Sequence, residues 1–204
     1  VERPQAAVRF DANGRSNLPA PKVRERTGAW RETLFRLRIG KLDLRDGSVA
    51  FNNRRVPLAV GGRNFEFALH YEAPPNAPDS YAGQVRWQQV ELAQQRYLPF
   101  RFDLSAKFTL HRDAFELDEL VWKLPHSELN LRAELPSFAR SDWKLRYRGR
   151  LSLADVRAIF RAPTTPDGLT DFSGQARYAA ATPRGKGAPG GGEWTASGYY
   201  HGHD

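Results

Sequence analysis

The segment from Phe100 to Leu110, FRFDLSAKFTL, alternates between apolar and polar residues without a break. A period of two places successive side chains on opposite faces of an extended chain, so the segment predicts a strand with one apolar face and one solvent-exposed polar face. At about 3.3 Å per residue the strand would be roughly 35 Å long, beyond the usual length of about five or six residues. The segments on either side repeat the pattern. Together they predict one long antiparallel sheet with a single apolar face.

Turn signals divide the remaining alternation into about a dozen strands, beginning at Phe35. Asp46-Gly47 and Gly61-Gly62 have the composition of tight turns, and Pro125-His126 marks another. We therefore predict hairpins at these three places.

The parity of the alternation shifts at three points. At Gly40, between Phe35-Leu37-Ile39 and the next apolar residues, a shift indicates a β-bulge that keeps the apolar side chains on one face. Similar shifts occur between Trp87 and Val90 and at Asp118-Glu119. We expect the register of strand pairing to be irregular at each point.

The predicted fold class is all-β: a long curved antiparallel sheet that forms an open apolar groove. One short helix is expected near residues 154–161, where Val156, Ile159 and Phe160 share a side and Pro163 and Pro166 would end the helix. We interpret residues 1–204 as one β-groove segment of a longer protein. Its predicted parts are an irregular lead-in (1–34), a main sheet (35–153), the helix, and a terminal hairpin (172–204) with a Gly-rich loop (182–192).

The chain has no cysteine, which excludes disulfides, thiolate metal sites and thiol catalysis. It also lacks the GxSxG, HExxH and phosphate-loop motifs. His201, His203 and Asp204 have the spacing of metal ligands, but they lie at the chain end, where fraying is the default. We predict no enzymatic activity, no cofactor and no metal site.

The formal net charge of +8 is carried mainly by arginine. The basic residues Lys144, Arg146, Arg148 and Arg150 alternate with apolar residues along one predicted strand. This placement favours the solvated face of a sheet over a site for a polyanion.

A one-sided sheet must cover its apolar face. A second sheet could cover the face in a β-sandwich, or lipid could cover it on the outside of a closed barrel. Alternatively, the face could form an open groove that binds a hydrophobic ligand. A barrel needs aromatic residues at the strand ends, whereas Phe102, Phe108, Trp122 and Tyr147 lie mid-strand as often as at ends. The sandwich and the groove both remain open on this reasoning.

Four segments share a pattern of short β units: LRIGKLDLRDGSVAFNNRRVPL (37–58), SELNLRAEL (127–135), LSLADVRAI (151–159) and FSGQARY (172–178). This pattern resembles the AsmA-like family, and in particular its TamB branch, the translocation and assembly module of bacterial outer membranes. Ala133 stands where the family commonly has glycine. The resemblance covers roughly residues 35–200.

The resemblance implies a periplasmic β-groove of the cell envelope, anchored to the inner membrane by a segment outside this sequence. Such grooves are thought to carry phospholipid between the inner and outer membranes, or to assist outer-membrane protein assembly. The implied partners are phospholipid, both membranes and an outer-membrane β-barrel assembly protein. No nucleic acid is implied.

The predicted floor of the groove is made of apolar residues from three central strands, and ordinary core packing explains each of them equally well. The alternative function is a β-sandwich binding or adhesion module that recognises glycan or protein through loops such as Pro74 to Tyr81. A nucleic-acid binder is less favoured, because the basic residues form no clustered helix. The candidate lipid-groove residues are Phe102, Leu104, Phe108, Leu131, Leu145 and Tyr147.

Overall fold

In the computed structural model, strands account for 69% of the residues that the structure describes, and they form one open, curved sheet. The structure describes residues 1–10, 29–53, 58–94, 97–160, 162, 167–180 and 192–203. Nearly all of the predicted Gly-rich loop 182–192 lies outside these ranges, as do Pro163, Pro166 and Asp204. The elements are β1 (Gln5–Phe10), α1 (Ala29–Leu37), β2 (Lys41–Asn53), β3 (Leu58–Glu72), β4 (Ser80–Gln94), β5 (Phe100–His111), β6 (Phe115–Lys123), β7 (Glu128–Leu135), β8 (Trp143–Ser152), α2 (Leu153–Phe160), β9 (Leu169–Ala180) and β10 (Gly192–His203).

The ten strands follow one another across the sheet in the order of the chain. All neighbours from β2 to β10 pair antiparallel, which confirms the predicted all-β sheet. The pairing of β1 with β2 is parallel and was not predicted. We call the side that carries Tyr81, Leu104 and Leu131 the apolar face, and the side that carries Lys107 and Arg146 the polar face.

Three neighbouring strands carry a bulge at the same level of the sheet. Asp46 in β2, Asn64 in β3 and Gln89 in β4 have φ angles of 53°, 54° and 51°. The register is irregular beside each of them. Because a bulge bends its strand and increases the local twist, three aligned bulges curve this part of the sheet.

The predicted turns at Asp46-Gly47 and Gly61-Gly62 are wrong. β2 and β3 pass through both dipeptides as continuous strands. Asp46 adopts the left-handed conformation that a tight turn also requires, but here it forms a bulge. Residues that tolerate this conformation suit both structures, so composition alone does not separate a turn from a bulge.

The predicted strand from Phe35 and the bulge at Gly40 are also wrong, because Ala29–Leu37 forms α1. In the described part of the predicted lead-in, residues 1–10 include β1 and residues 29–34 form the start of α1. Other predictions are confirmed: the register shifts between Trp87 and Val90 and around Asp118-Glu119, and the chain turns at Pro125-His126. The predicted short helix is α2, at residues 153–160.

Helix α1 packs on one end of the apolar face and buries Phe35 completely. Phe35 clusters with Leu69, Tyr81 and Leu110 from three adjacent strands. Its ring meets that of Tyr81 edge to face, with centroids 5.1 Å apart. This cluster is the main hydrophobic core, and it lies where β3 and β5 end and β4 begins.

Helix α2 lies at the opposite end of the strands, directly after β8. The buried Asp155 carboxylate accepts hydrogen bonds from the Ser127 hydroxyl at 2.6 Å and from the His126 backbone N–H at 3.0 Å. The Ile159 carbonyl accepts a bond from the Leu98 N–H at 2.9 Å. The helix is thereby tied to the loops before β5 and β7. In the described part of the chain, neither helix has the length and hydropathy needed to cross a membrane.

Candidate functional site

Strand pairing brings the candidate groove residues onto one face of the sheet. Directly paired residues in an antiparallel sheet project from the same side. Leu131 pairs with Tyr147, and Leu145 pairs with Ala133, two residues further along β7. On β5 the alternation is unbroken, and Leu104 pairs with Trp122, which in turn pairs with Leu129 of β7. The predicted set therefore shares the apolar face: Phe102, Leu104, Phe108, Leu131, Leu145 and Tyr147.

Every one of these candidate residues is half-buried. Their neighbours on the sheet cover part of each side chain, and part remains open to solvent. The described residues form a single sheet, so no facing sheet covers them in this part of the chain. A two-sheet sandwich is therefore not the architecture found.

Two of the candidate rings lie flat across a neighbouring strand. A Cβ on Gly83, which pairs with Phe108, would overlap the Phe108 ring. A Cβ on Gly174, which pairs with Tyr147, would contact the Tyr147 hydroxyl and the ring carbon that bears it. Glycine at these positions lets the aromatic rings cover the sheet backbone. The resulting floor is aromatic and shallow.

Further aromatic residues extend this floor beyond the predicted set. Trp122 meets Phe102 with ring centroids 5.8 Å apart, and Phe172 meets Tyr147 at 6.2 Å. Phe67 and Phe115 flank Phe108 at 6.5 and 5.7 Å. Sequence reasoning did not select these four, although each occupies an apolar position of the same alternation. The signal that identifies them is cross-strand pairing.

The larger clefts lie chiefly over the polar face. One of about 1770 Å³ opens beside β1 to β5, and of the candidate residues only Phe102 borders it. Another of about 760 Å³ lies over β6 to β10 and is bordered by Leu145. The candidate floor residues therefore contribute little to the border of either cleft.

Ion pairs between adjacent strands stabilise much of the polar face. Lys107 lies 3.6 Å from Glu119, and Arg101 lies 3.2 Å from Glu91. The Arg150 Nε–H donates to an Asp171 carboxylate oxygen at 2.9 Å, and this hydrogen bond lowers the pKa of Asp171. These contacts agree with the prediction that the basic residues of β8 occupy a solvated face.

The histidines near the chain end contact each other and one carboxylate. The rings of His201 and His203 are 4.5 Å apart, and His203 Nε2 lies 3.1 Å from Asp171 Oδ2. Within the residues that the structure describes, no group of three or more histidine, aspartate or glutamate side chains is arranged to hold a metal ion.

The fold and this face define an open, one-sided β-sheet protein whose apolar surface is partly exposed along its length. No protein-family model, no curated protein and no solved structure matches the chain significantly.

Proposed function

We propose that this chain is a segment of a periplasmic AsmA/TamB-like protein and that its apolar face binds the acyl chains of phospholipid during transfer between membranes. The observation that supports this most directly is the half-buried floor, which continues from β4 to β9 with no facing sheet in the described residues. Apolar surface that is partly exposed over several neighbouring strands is typical of an interaction site.

Acyl-chain burial supplies enough free energy for binding. Each methylene that leaves water contributes about 0.8 kcal/mol, so a fully covered sixteen-carbon chain would contribute roughly 12 kcal/mol. A shallow floor covers only one side of such a chain, which reduces this figure. A second apolar layer or a neighbouring lipid chain would cover the other side.

An open floor also allows the bound chain to move. Hydrophobic contact is non-directional and requires no specific geometry. A chain can therefore exchange Leu104 for Leu131 as its neighbour without breaking a hydrogen bond. The charged head group stays in water, because burying a charge without a partner is costly.

Lipid that co-purifies with the chain provides the test. We expect solvent extraction and mass spectrometry to recover phospholipid from the purified protein, and we expect Leu104→Arg and Leu145→Glu to abolish its recovery. Each variant places a charge on the apolar face, and circular dichroism would verify that the sheet still folds.

The matched control is Thr109→Arg. Thr109 lies on the same strand as Leu104 but on the polar face, where it pairs with Glu116. This variant adds the same charge beside a carboxylate and should retain lipid. Equal recovery from Leu104→Arg and Thr109→Arg would contradict the proposal.

A further inference from the structure

The polar face of β7, β8 and β9 contains a patch of arginines that the register places side by side. Arg132 of β7 pairs directly with Arg146 of β8, and Arg148 follows Arg146 on the same face. All three side chains are exposed. Like charges in directly paired positions of a sheet are destabilising.

These three arginines have no ion-pair partner among the described residues, in contrast to many of their neighbours. On β8 itself, the residues on either side are paired: Lys144 with Glu134 at 3.8 Å and Arg150 with Asp171 at 2.9 Å. The unpaired cations thus lie in the middle of the strand. Elsewhere on the polar face, other basic residues form ion pairs with acidic residues of adjacent strands: Arg86–Glu66, Arg101–Glu91, Lys107–Glu119 and Lys123–Glu128.

The residues paired directly with Arg146 on β9 and with Arg148 on both sides are neutral and can form hydrogen bonds, and one of them, Asn130, donates to Glu128 at 2.8 Å. Asn130 pairs with Arg148 from one side, and Ser173 pairs with it from the other. Gln175 pairs with Arg146, and Ser197 pairs with Gln175. In these two rows across β7 to β10, every polar side chain can donate a hydrogen bond and none is a carboxylate.

The cleft of about 760 Å³ opens beside two of the three arginines, Arg132 and Arg146. Arg132, Arg146 and Arg177 border it together with Gln175 and Ser197. Its remaining charged border residues are Lys144, Glu116, Asp118 and Glu134. The acidic side chains belong to β6 and the end of β7, whereas β8 and β9 contribute only basic and neutral residues to the border.

We propose that this patch, defined by Arg132, Arg146 and Arg148, is a binding site for phosphoryl groups. Guanidinium groups match phosphate oxygens in a bidentate geometry, and a bound anion would offset the repulsion between Arg132 and Arg146. The ligand class is a compound with a terminal phosphoryl group, either free in solution or in a lipid head group. The site lies on the face opposite the acyl-chain floor and does not depend on the proposed function.

Calorimetric titration with pyrophosphate tests a free ligand, and co-sedimentation with vesicles that contain phosphatidic acid tests a head group. We expect Arg146→Gln to weaken binding by about tenfold or more, as the loss of one charge-assisted contact implies. The control is Arg101→Gln, which removes an equally exposed arginine that is already paired with Glu91.

The two arms distinguish the sources. Pyrophosphate binding that Arg146→Gln weakens and Arg101→Gln spares supports a free phosphorylated ligand, and the same variant pattern seen only with vesicles supports a head group. Absence of binding in both arms, or equal losses in the two variants, would overturn the site. Arg132→Gln adds an independent readout: it should raise the Tm of the unliganded protein at low salt, and a lower Tm would contradict the repulsion.

Discussion

The Tyr81 hydroxyl donates a hydrogen bond to the Leu34 carbonyl at 2.9 Å. The same hydroxyl accepts one from the Ile39 N–H, also at 2.9 Å. Leu34 lies near the end of α1 and Ile39 in the connection to β2, so one buried side chain on β4 fixes the place where the helix joins the sheet.

Replacing this hydroxyl should loosen α1. Tyr81→Phe leaves the Leu34 carbonyl and the Ile39 N–H without their partner; an unsatisfied buried group costs about 1–3 kcal/mol, and water offsets part of this cost here because both groups are only partly buried. We expect a loss of about 2 kcal/mol in the free energy of unfolding by urea. Tyr200→Phe, at an exposed position on β10, is the control and should unfold like the wild type. Equal stability of the two variants would refute this role.

The sequence pattern was misleading at α1 for a specific reason. Phe35, Leu37 and Ile39 alternate over too few residues to separate a strand from a helix. In the structure Phe35 is fully buried, whereas Leu37 is 62% exposed. The alternation of apolar residues therefore does not match the alternation of buried and exposed side chains. Only the contact of Phe35 with the sheet reveals the helix.

The buried Asp155 carboxylate should be essential for docking α2. Asp155→Ala removes the acceptor for the Ser127 hydroxyl and the His126 N–H, and leaves both donors without a partner. We expect a loss of about 2–4 kcal/mol in unfolding free energy, since each unsatisfied buried group costs about 1–3 kcal/mol.

Ser127→Ala provides the graded comparison at this site. It removes one of the two donors to Asp155 and also the acceptor for the Ser152 N–H. Its cost should be smaller than that of Asp155→Ala in the same urea titration. A reversed order would show that Ser127, and not Asp155, organises this end of the sheet.

Glycine at position 83 should be required for the flat floor. A Cβ at this position would displace the Phe108 ring, and overpacking of this kind costs about 1–3 kcal/mol. Gly202→Ala is the matched control, because a Cβ on Gly202 of β10 meets no atom within 4 Å. We expect Gly83→Ala to lower the Tm and Gly202→Ala to leave it unchanged. A Gly83→Ala protein as stable as Gly202→Ala would contradict the close packing of Phe108.

The pairing of Arg150 with Asp171 should make the stability of the folded protein depend on pH in the acidic range. The pKa of Asp171 is lowered in the folded protein, chiefly by its hydrogen bond with Arg150. The contribution of this carboxylate is thus fully present above its ordinary pKa of about 3.9 and is lost as the pH falls through the lowered value.

Arg150→Gln should weaken this dependence. Thermal unfolding between about pH 7 and pH 3 would show a smaller fall in Tm for Arg150→Gln than for the wild type, because the folded pKa of Asp171 returns toward its ordinary value. Arg148→Gln, the neighbouring arginine on the same face, should retain the wild-type slope. Identical slopes in Arg150→Gln and the wild type would count against the pairing.

The alternation of residue types was sufficient to predict the sheet and its apolar face. The positions of the turns were harder to predict, because the dipeptide Asp46-Gly47 suits a β-bulge as well as a hairpin turn. The arginine patch was not predicted, since Arg132 and Arg146 are fourteen positions apart in sequence and only the register places them opposite each other. The prediction at Asp46-Gly47 failed, and the arginine patch was missed, because both depended on how neighbouring strands pair.

The most direct test of the central claim is photocrosslinking from the floor to lipid. A photoreactive residue at Phe102 should form adducts with phospholipid acyl chains in cells that produce the protein, whereas the same residue at Arg101, the adjacent position on the polar face, should not. Lipid adducts from position 102 that disappear in Leu104→Arg are the predicted result. Absence of adducts at position 102, or equal adducts at positions 101 and 102, would contradict the proposal that the apolar face binds lipid.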